Sequence, residues 1–125
     1  MIIYASRTGN VRSIVNRLLE IDPTIQCSDM KVSAGVSEPF LLITYTDKLG
    51  QAPEEVINFM KHHHHLCRGV VASGNTNFGK VNFAKAADLI SEMFNVDSLH
   101  KIDLRGKDSD WQIVAKMYRE RFITS

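Results

Sequence analysis

Met1-Ile2-Ile3-Tyr4-Ala5-Ser6-Arg7-Thr8-Gly9-Asn10-Val11 is the stretch from which the architecture can be read. Met1 to Ala5 form an apolar run, and beyond Val11 the apolar positions recur at Ile14, Val15, Leu18 and Leu19. The first pattern belongs to a strand buried on both faces, the second to one face of a helix. Between them lie hydroxyls, a glycine and an asparagine. A strand turning through such residues into a helix leaves backbone N–H groups exposed at the helix start, where the dipole also favours an anion. Ser6 and Thr8 add hydroxyl donors, and Gly9 permits close backbone approach. Ser6, Arg7, Thr8, Gly9, Asn10 and Val11 are therefore candidates for holding a phosphate. The same residues admit a plainer reading, with Asn10 as helix cap and Gly9 as turn former. No Gly-Lys-Ser/Thr follows, and the pattern is not GxGxxG. A phosphate here would belong to a mononucleotide rather than to a triphosphate held with magnesium.

Working outward, strands are expected at 1–6, 25–27, 40–45, 69–73 and 99–104, and helices at 11–20, 53–65, 83–94 and 108–121. Pro53 suits a first helical turn, and Glu54 and Glu55 suit the positive end of that helix. The stretch 28–39 reads as an irregular connection. Strand and helix thus alternate, which predicts an α/β three-layer sandwich around a parallel sheet. Five such strands match the flavodoxin-like order 2-1-3-4-5, in which the ligand sits outside the carboxyl ends of the strands at the switch point.

The loops at that edge should then carry the chemistry. After the third strand come Tyr45, Thr46, Asp47, Lys48, Leu49 and Gly50; after the fourth come Ser73, Gly74, Asn75, Thr76, Asn77, Phe78 and Gly79. Glycine, asparagine and hydroxyl residues offer donors and acceptors to the edge of a planar ligand, and Tyr45 or Phe78 would cover its face. Turn formation between buried strands is the competing explanation for the same residues.

Together the three loops resemble a known family. Ser6-Arg7-Thr8-Gly9-Asn10-Val11 resembles the phosphate loop of flavodoxins. That loop, combined with Thr44-Tyr45-Thr46 before Gly50, Pro53 and Glu54 and with Ala72 to Gly79, resembles the NrdI proteins, flavodoxin-like stimulatory proteins of class Ib ribonucleotide reductase. Leu104-Arg105-Gly106 before an acidic helix start also fits, so the resemblance spans essentially the whole chain. It implies one FMN-binding domain over 1–125, with Ser6 to Val11 on the phosphate, Thr46 to Gly50 on one side of the flavin ring and Ser73 to Gly79 on the other. It further implies a redox accessory protein rather than an independent metabolic enzyme. Reduced flavin would react with molecular oxygen, and the reduced oxygen species would pass to the dimanganese site of the radical-bearing small subunit, where a tyrosyl radical forms. An unidentified reductant would recharge the flavin. No side chain is then catalytic, because the cofactor carries the chemistry. Lys48 departs from the pattern, since relatives often have Gly or Asn at a position where φ turns positive to aim a carbonyl at flavin N5. Lysine there costs roughly 1 kcal/mol more than glycine, which points to a less stabilised one-electron-reduced flavin. A solvated Lys48 is the plainer reading.

Composition narrows the alternatives. The 125 residues are 44% hydrophobic and 23% charged, with formal net charge +1. No broad field exists to attract nucleic acid or an anionic membrane, and no apolar run approaches the ~20 residues of a membrane span. The sequence start lacks the basic segment and apolar core of a signal peptide. Two cysteines, Cys27 and Cys67, form no disulfide framework and fit a reducing cytoplasm. The proposed order puts roughly 14 Å between their strands at about 4.8 Å per step, beyond the ~7 Å limit of a disulfide. Near-neutral charge disfavours a general electron-transfer flavodoxin, which is typically strongly acidic. A phosphoacceptor signalling module needs an acidic pair for magnesium after the first strand, where this chain has Ser6-Arg7.

Elsewhere, His62 to His65 read as a solvated last helical turn rather than a metal site, since only His62 and His65 would share a face. Trp111 is expected to pack the final helix with Ile113, Val114, Met117 and Phe122. Lys116, Arg119, Glu120 and Arg121 read as a solvated face, with a docking surface for a partner as the second reading.

Overall fold

The computed structural model describes residues 1–47 and 50–122. Apolar runs become the inner strands: β1 (Ile2–Tyr4), β3 (Phe40–Tyr45) and β4 (Cys67–Gly74). The edges are β2 (Cys27–Asp29) and β5 (Ser98–Asp103), and the sheet order is β2-β1-β3-β4-β5 with every pairing parallel. The expected 2-1-3-4-5 order is thus the observed one. In register, Ile3 stands opposite Leu42, and Thr44 opposite Ala72. The carboxyl ends of β1, β3 and β4 therefore finish along one edge.

Helices cover both faces. Val11, Ile14, Val15 and Leu18 of α1 (Asn10–Ile21) join Val114, Ala115 and Tyr118 of α4 (Asp108–Phe122) against Ile2, Leu41, Ile43 and Val71. On the other face, Val56 and Met60 of α2 (Glu54–His63) and Ala86, Ala87 and Ile90 of α3 (Ala86–Phe94) pack on Ile3, Leu42, Val70 and Ala72. Alternate residues of the inner strands serve opposite layers, as a doubly covered parallel sheet demands.

Several local expectations need correction. The second strand runs from Cys27 rather than from Ile25; Ile25 is buried in the core ahead of it, and Ile25 N–H bonds to Asp22 O in a turn. Asp29 caps a short 3-10 turn at Met30–Val32 inside the irregular connection. Pro53 caps α2 instead of opening it, and α3 starts at Ala86 because Ala84 takes a left-handed backbone, φ 48°. The histidine run is not one solvated helical turn. After α2 ends at His63, His64–Leu66 tighten into a 3-10 turn, so His62 and His65 share no α-helical face. His63 packs on Phe59 with tilted rings 4.6 Å apart and His64 stacks on Phe94 at 5.4 Å, while His64 Nδ1 lies 3.0 Å from Met60 O. Burial, with His62 and His65 nearby, lowers the His63 pKa. Trp111 packs partly against the α1–α4 layer, its Nε1 donating to Arg105 O, but Ile113 faces solvent. Cys27 and Cys67 are both free thiols, one in each apolar layer. Among the described residues no helix is long and apolar enough to cross a membrane.

Candidate functional site

Three chain segments leaving the carboxyl ends of β1, β3 and β4 enclose a cleft of about 350 Å³. Arg7, Thr8 and Asn10 form its first wall, and Tyr45, Thr46, Asp47 and Gly50 its second. Ser73, Gly74, Asn75 and Phe78 form the third, with Asn82 and Leu104 completing the lining. Another hollow, of about 430 Å³, lies between Met1, Gln26, Ser28 and the connection before β3. Two of its hydroxyls are already engaged with each other, Ser28 Oγ lying 2.8 Å from Ser33 Oγ.

The first wall is built by the start of α1. Gly9, not Asn10, is the N-cap, with φ 96°, and no side chain on it caps the helix. Ser6 fills that need, its Oγ accepting the Arg12 N–H at 3.2 Å. Helix geometry leaves the N–H groups of Asn10 and Val11 without an intrahelical acceptor, facing the end where the dipole favours an anion. The Val11 side chain is buried in the core, so only its backbone is left for a ligand.

Arg7 extends from this loop to the second wall. Its Nη1 donates to Asp47 Oδ1 at 2.8 Å, and its guanidinium lies 5.6 Å from the Tyr45 ring centroid. The Tyr45 hydroxyl donates to Glu55 Oε1 at 2.8 Å. Burial foremost, then that bond and the nearby carboxylates, pushes the phenol pKa upward, so Tyr45 stays a neutral donor. Asp47 N–H bonds to Gln51 O at 2.7 Å, while Gly50 and Gln51 donate back to Asp47 O. A Cβ on Gly50 would sit 3.0 Å from Asn82 Oδ1, so glycine lets the second and third walls meet.

One atom in this wall is conspicuous. Thr46 Oγ1 is buried and has no hydrogen-bond partner among the described residues. A buried hydroxyl left unpaired costs about 1–3 kcal/mol, and a ligand polar atom in the cleft would relieve it.

The third wall is fixed from β5. Ser73 Oγ donates to Leu104 O at 2.6 Å, and Leu104 N–H donates to Gly74 O at 2.7 Å. Asp103 accepts from Thr76 N–H and Thr76 Oγ1 at 3.1 and 3.3 Å. Asn75 Oδ1 takes the Asn77 N–H, shaping the turn at Thr76–Phe78. A side chain on Gly74 would strike the Ala84 backbone. Leu104 is held at φ 55°, a strained conformation for leucine. Phe78 and Leu104 are 54% and 41% exposed at the rim, leaving apolar surface beside the cleft for a planar group to cover.

Of the residues singled out by sequence, Ser6, Gly9, Val11, Asn77 and Gly79 do not line the cleft; they shape the loops that do. Lys48 and Leu49 lie outside the described residues. Asn82 and Leu104 were missed. The strand order held the signal for Leu104, because β5 ends next to β4 and Leu104-Arg105-Gly106 is a turn at that edge.

The model of the family described as NrdI flavodoxin-like matches residues 2–116. The chain belongs to the NrdI flavodoxin-like family. Its structure is similar to solved flavodoxins. A short-chain flavodoxin associated with a non-canonical PDU bacterial microcompartment is 22% identical, with TM-score 0.67 over 92% of this chain and 90% of that one. Oxidised flavodoxin 1 from Bacillus cereus is 16% identical, with TM-score 0.70 over 95% and 93%. Flavodoxin 2 from the same organism is 21% identical, with TM-score 0.68 over 97% of each chain. At these identities the structural likeness speaks for the fold, and the family match speaks for the flavin. NrdI and flavodoxin proteins bind FMN, and the NrdI family is associated with ribonucleotide reductase. The cleft of this NrdI-family chain suits that cofactor: a buried hydroxyl without a partner among the described residues, N–H groups at a helix start and an apolar rim lie around one space.

Proposed function

We propose that this protein is the redox accessory of a class Ib ribonucleotide reductase. In this reading residues 1–125 act as one flavin-binding domain in the cytoplasm. Bound FMN supplies the electron chemistry toward molecular oxygen, after recharging by a separate reductant. The resulting reduced oxygen species serves the dimanganese small subunit, allowing its tyrosyl radical to form. The chain's own part is to bind, orient and shield. N–H groups at the start of α1, with Thr8 and Asn10, would face the phosphate. Thr46 and the turn from Asp47 would meet the polar edge of the ring, while Ser73 to Asn75 close the other side and Tyr45, Phe78 and Leu104 cover apolar surface.

The observation carrying this reading is the cleft at the strand ends of an NrdI-family fold, lined by Thr8 and Asn10 and by Thr46, whose buried hydroxyl has no hydrogen-bond partner among the described residues. Reconstitution with FMN is the first test, and a yellow protein with flavin absorption bands is expected. Reduced protein is then mixed aerobically with a dimanganese small subunit, and the tyrosyl radical is followed by electron paramagnetic resonance. A colourless protein would end the flavin reading. A flavin-loaded protein that yields no radical, yet passes electrons to generic acceptors, would make it an electron-transfer flavodoxin instead.

A further inference from the structure

Arg7 leaves the phosphate-side loop sideways, toward the β3 wall. Its Nη1 sits 2.8 Å from Asp47 Oδ1, and its guanidinium faces the Tyr45 ring at 5.6 Å. Both landing points are themselves fixed. Glu55, in the first turn of α2, accepts from the Tyr45 hydroxyl, and the Asp47 backbone exchanges hydrogen bonds with Gln51. Asp47 is the sheltered partner, 27% exposed against 56% for Arg7. Meanwhile the start of α1 presents its own N–H groups to an anion, without needing a side-chain cation.

We propose that Arg7 and Asp47 form a strap across the cleft, tying the phosphate-side loop to the β3 wall. Arg7 is then a positioning residue that slows release of the flavin, rather than a ligand of its phosphate. This inference rests on the flavin reading of the cleft. A strapped ligand leaves when the ion pair opens, so losing either partner quickens release whether or not the ligand carries a phosphate. A phosphate-ligating Arg7 behaves otherwise. Its removal weakens FMN and spares riboflavin, whereas removing the Asp47 charge strengthens FMN. The two schemes thus give opposite signs for Asp47→Asn. Because the pair is partly exposed, salt should weaken the strap.

The test measures release rates of FMN and of riboflavin from the full chain, as wild type, Arg7→Gln, Asp47→Asn and the double variant. Each single change is expected to speed release of both flavins roughly twofold to fivefold. The double variant should be no faster than the faster single one. Raising salt from about 0.05 M to about 0.5 M should speed the wild type but not the double variant. Circular dichroism melts verify that each variant is folded; Arg7→Lys and Asp47→Glu, which keep the charges, should restore slow release in part. Selective weakening of FMN by Arg7→Gln together with tighter FMN binding by Asp47→Asn would overturn the strap, as would release rates that neither change alters. A wild type that takes up neither flavin would instead remove the flavin reading beneath it.

Discussion

Thr46 shows how one side chain separates folding from ligand binding. Its hydroxyl is buried beside the cleft with no hydrogen-bond partner among the described residues. Thr46→Val keeps the branched shape and removes the oxygen. Replacing an unsatisfied polar group by an apolar one of equal shape is neutral or stabilising, so the ligand-free melting temperature should hold or rise. If the hydroxyl meets the flavin, FMN affinity should fall roughly fivefold to tenfold, the worth of one hydrogen bond near 1 kcal/mol. Equilibrium titration and thermal melts of the same preparations measure both. An unchanged dissociation constant would take Thr46 out of the site. The sequence put Thr46 in the loop after the third strand and Thr44 within that strand. Nothing in it told that the Thr44 hydroxyl is satisfied, by the Tyr45 carbonyl, while that of Thr46 is not among the described residues. Whether a hydroxyl is satisfied depends on its three-dimensional neighbours, and composition does not encode them.

At the scale of elements, the start of α1 tests how a loop divides its donors. Ser6 Oγ accepts the Arg12 N–H, so this hydroxyl serves the helix. Ser6→Ala should therefore cost about 1 kcal/mol of stability, read from denaturant unfolding, while FMN affinity moves little. Lost affinity with unchanged stability would return Ser6 to the ligand. Sequence made α1 legible because Val11, Ile14, Val15 and Leu18 recur on one face and are all buried. The inner strands β3 and β4 were legible as apolar runs for the same reason. By contrast β2 was misplaced, because its residues Cys27–Asp29 are half-buried at a sheet edge and carry no apolar run. Ile25, the residue that looked like strand, is buried through tertiary packing alone. The late start of α3 follows from the Ala84 backbone, and alanine gives no warning of a positive φ. Likewise the three loops were readable as candidates because strand order dictates where they meet. Their inner hydrogen bonds, such as Asp103 on Thr76, join residues far apart in the chain and had no local signature.

Across the whole molecule, the sheet separates two apolar layers, and each contains one thiol: Cys27 beside the α1–α4 layer and Cys67 in the α2–α3 layer. With β1 and β3 between their strands, the two cannot bridge. Burial pushes each thiol up to about 11 from an ordinary value of 9.0. For Cys67, only 6% exposed, this becomes a pH dependence of folding. The unfolded chain releases the thiol proton near pH 9, whereas the folded chain keeps it until about 11. Between these values the folded state binds more protons, so stability is full below about pH 9 and declines as pH rises toward 11. The decline attributable to Cys67 should be about 1 kcal/mol between pH 8 and pH 10. Raised phenol values at Tyr45 and Tyr118 add slopes of the same sign, so the thiol is isolated by difference. Cys67→Ala leaves a small cavity that lowers stability at every pH alike, but it should flatten the alkaline slope by that amount. Urea unfolding at pH 7, 8, 9 and 10 on both proteins supplies the comparison. Parallel curves would mean that the Cys67 thiol ionises as readily in the folded layer as in the open chain, and that this layer admits water.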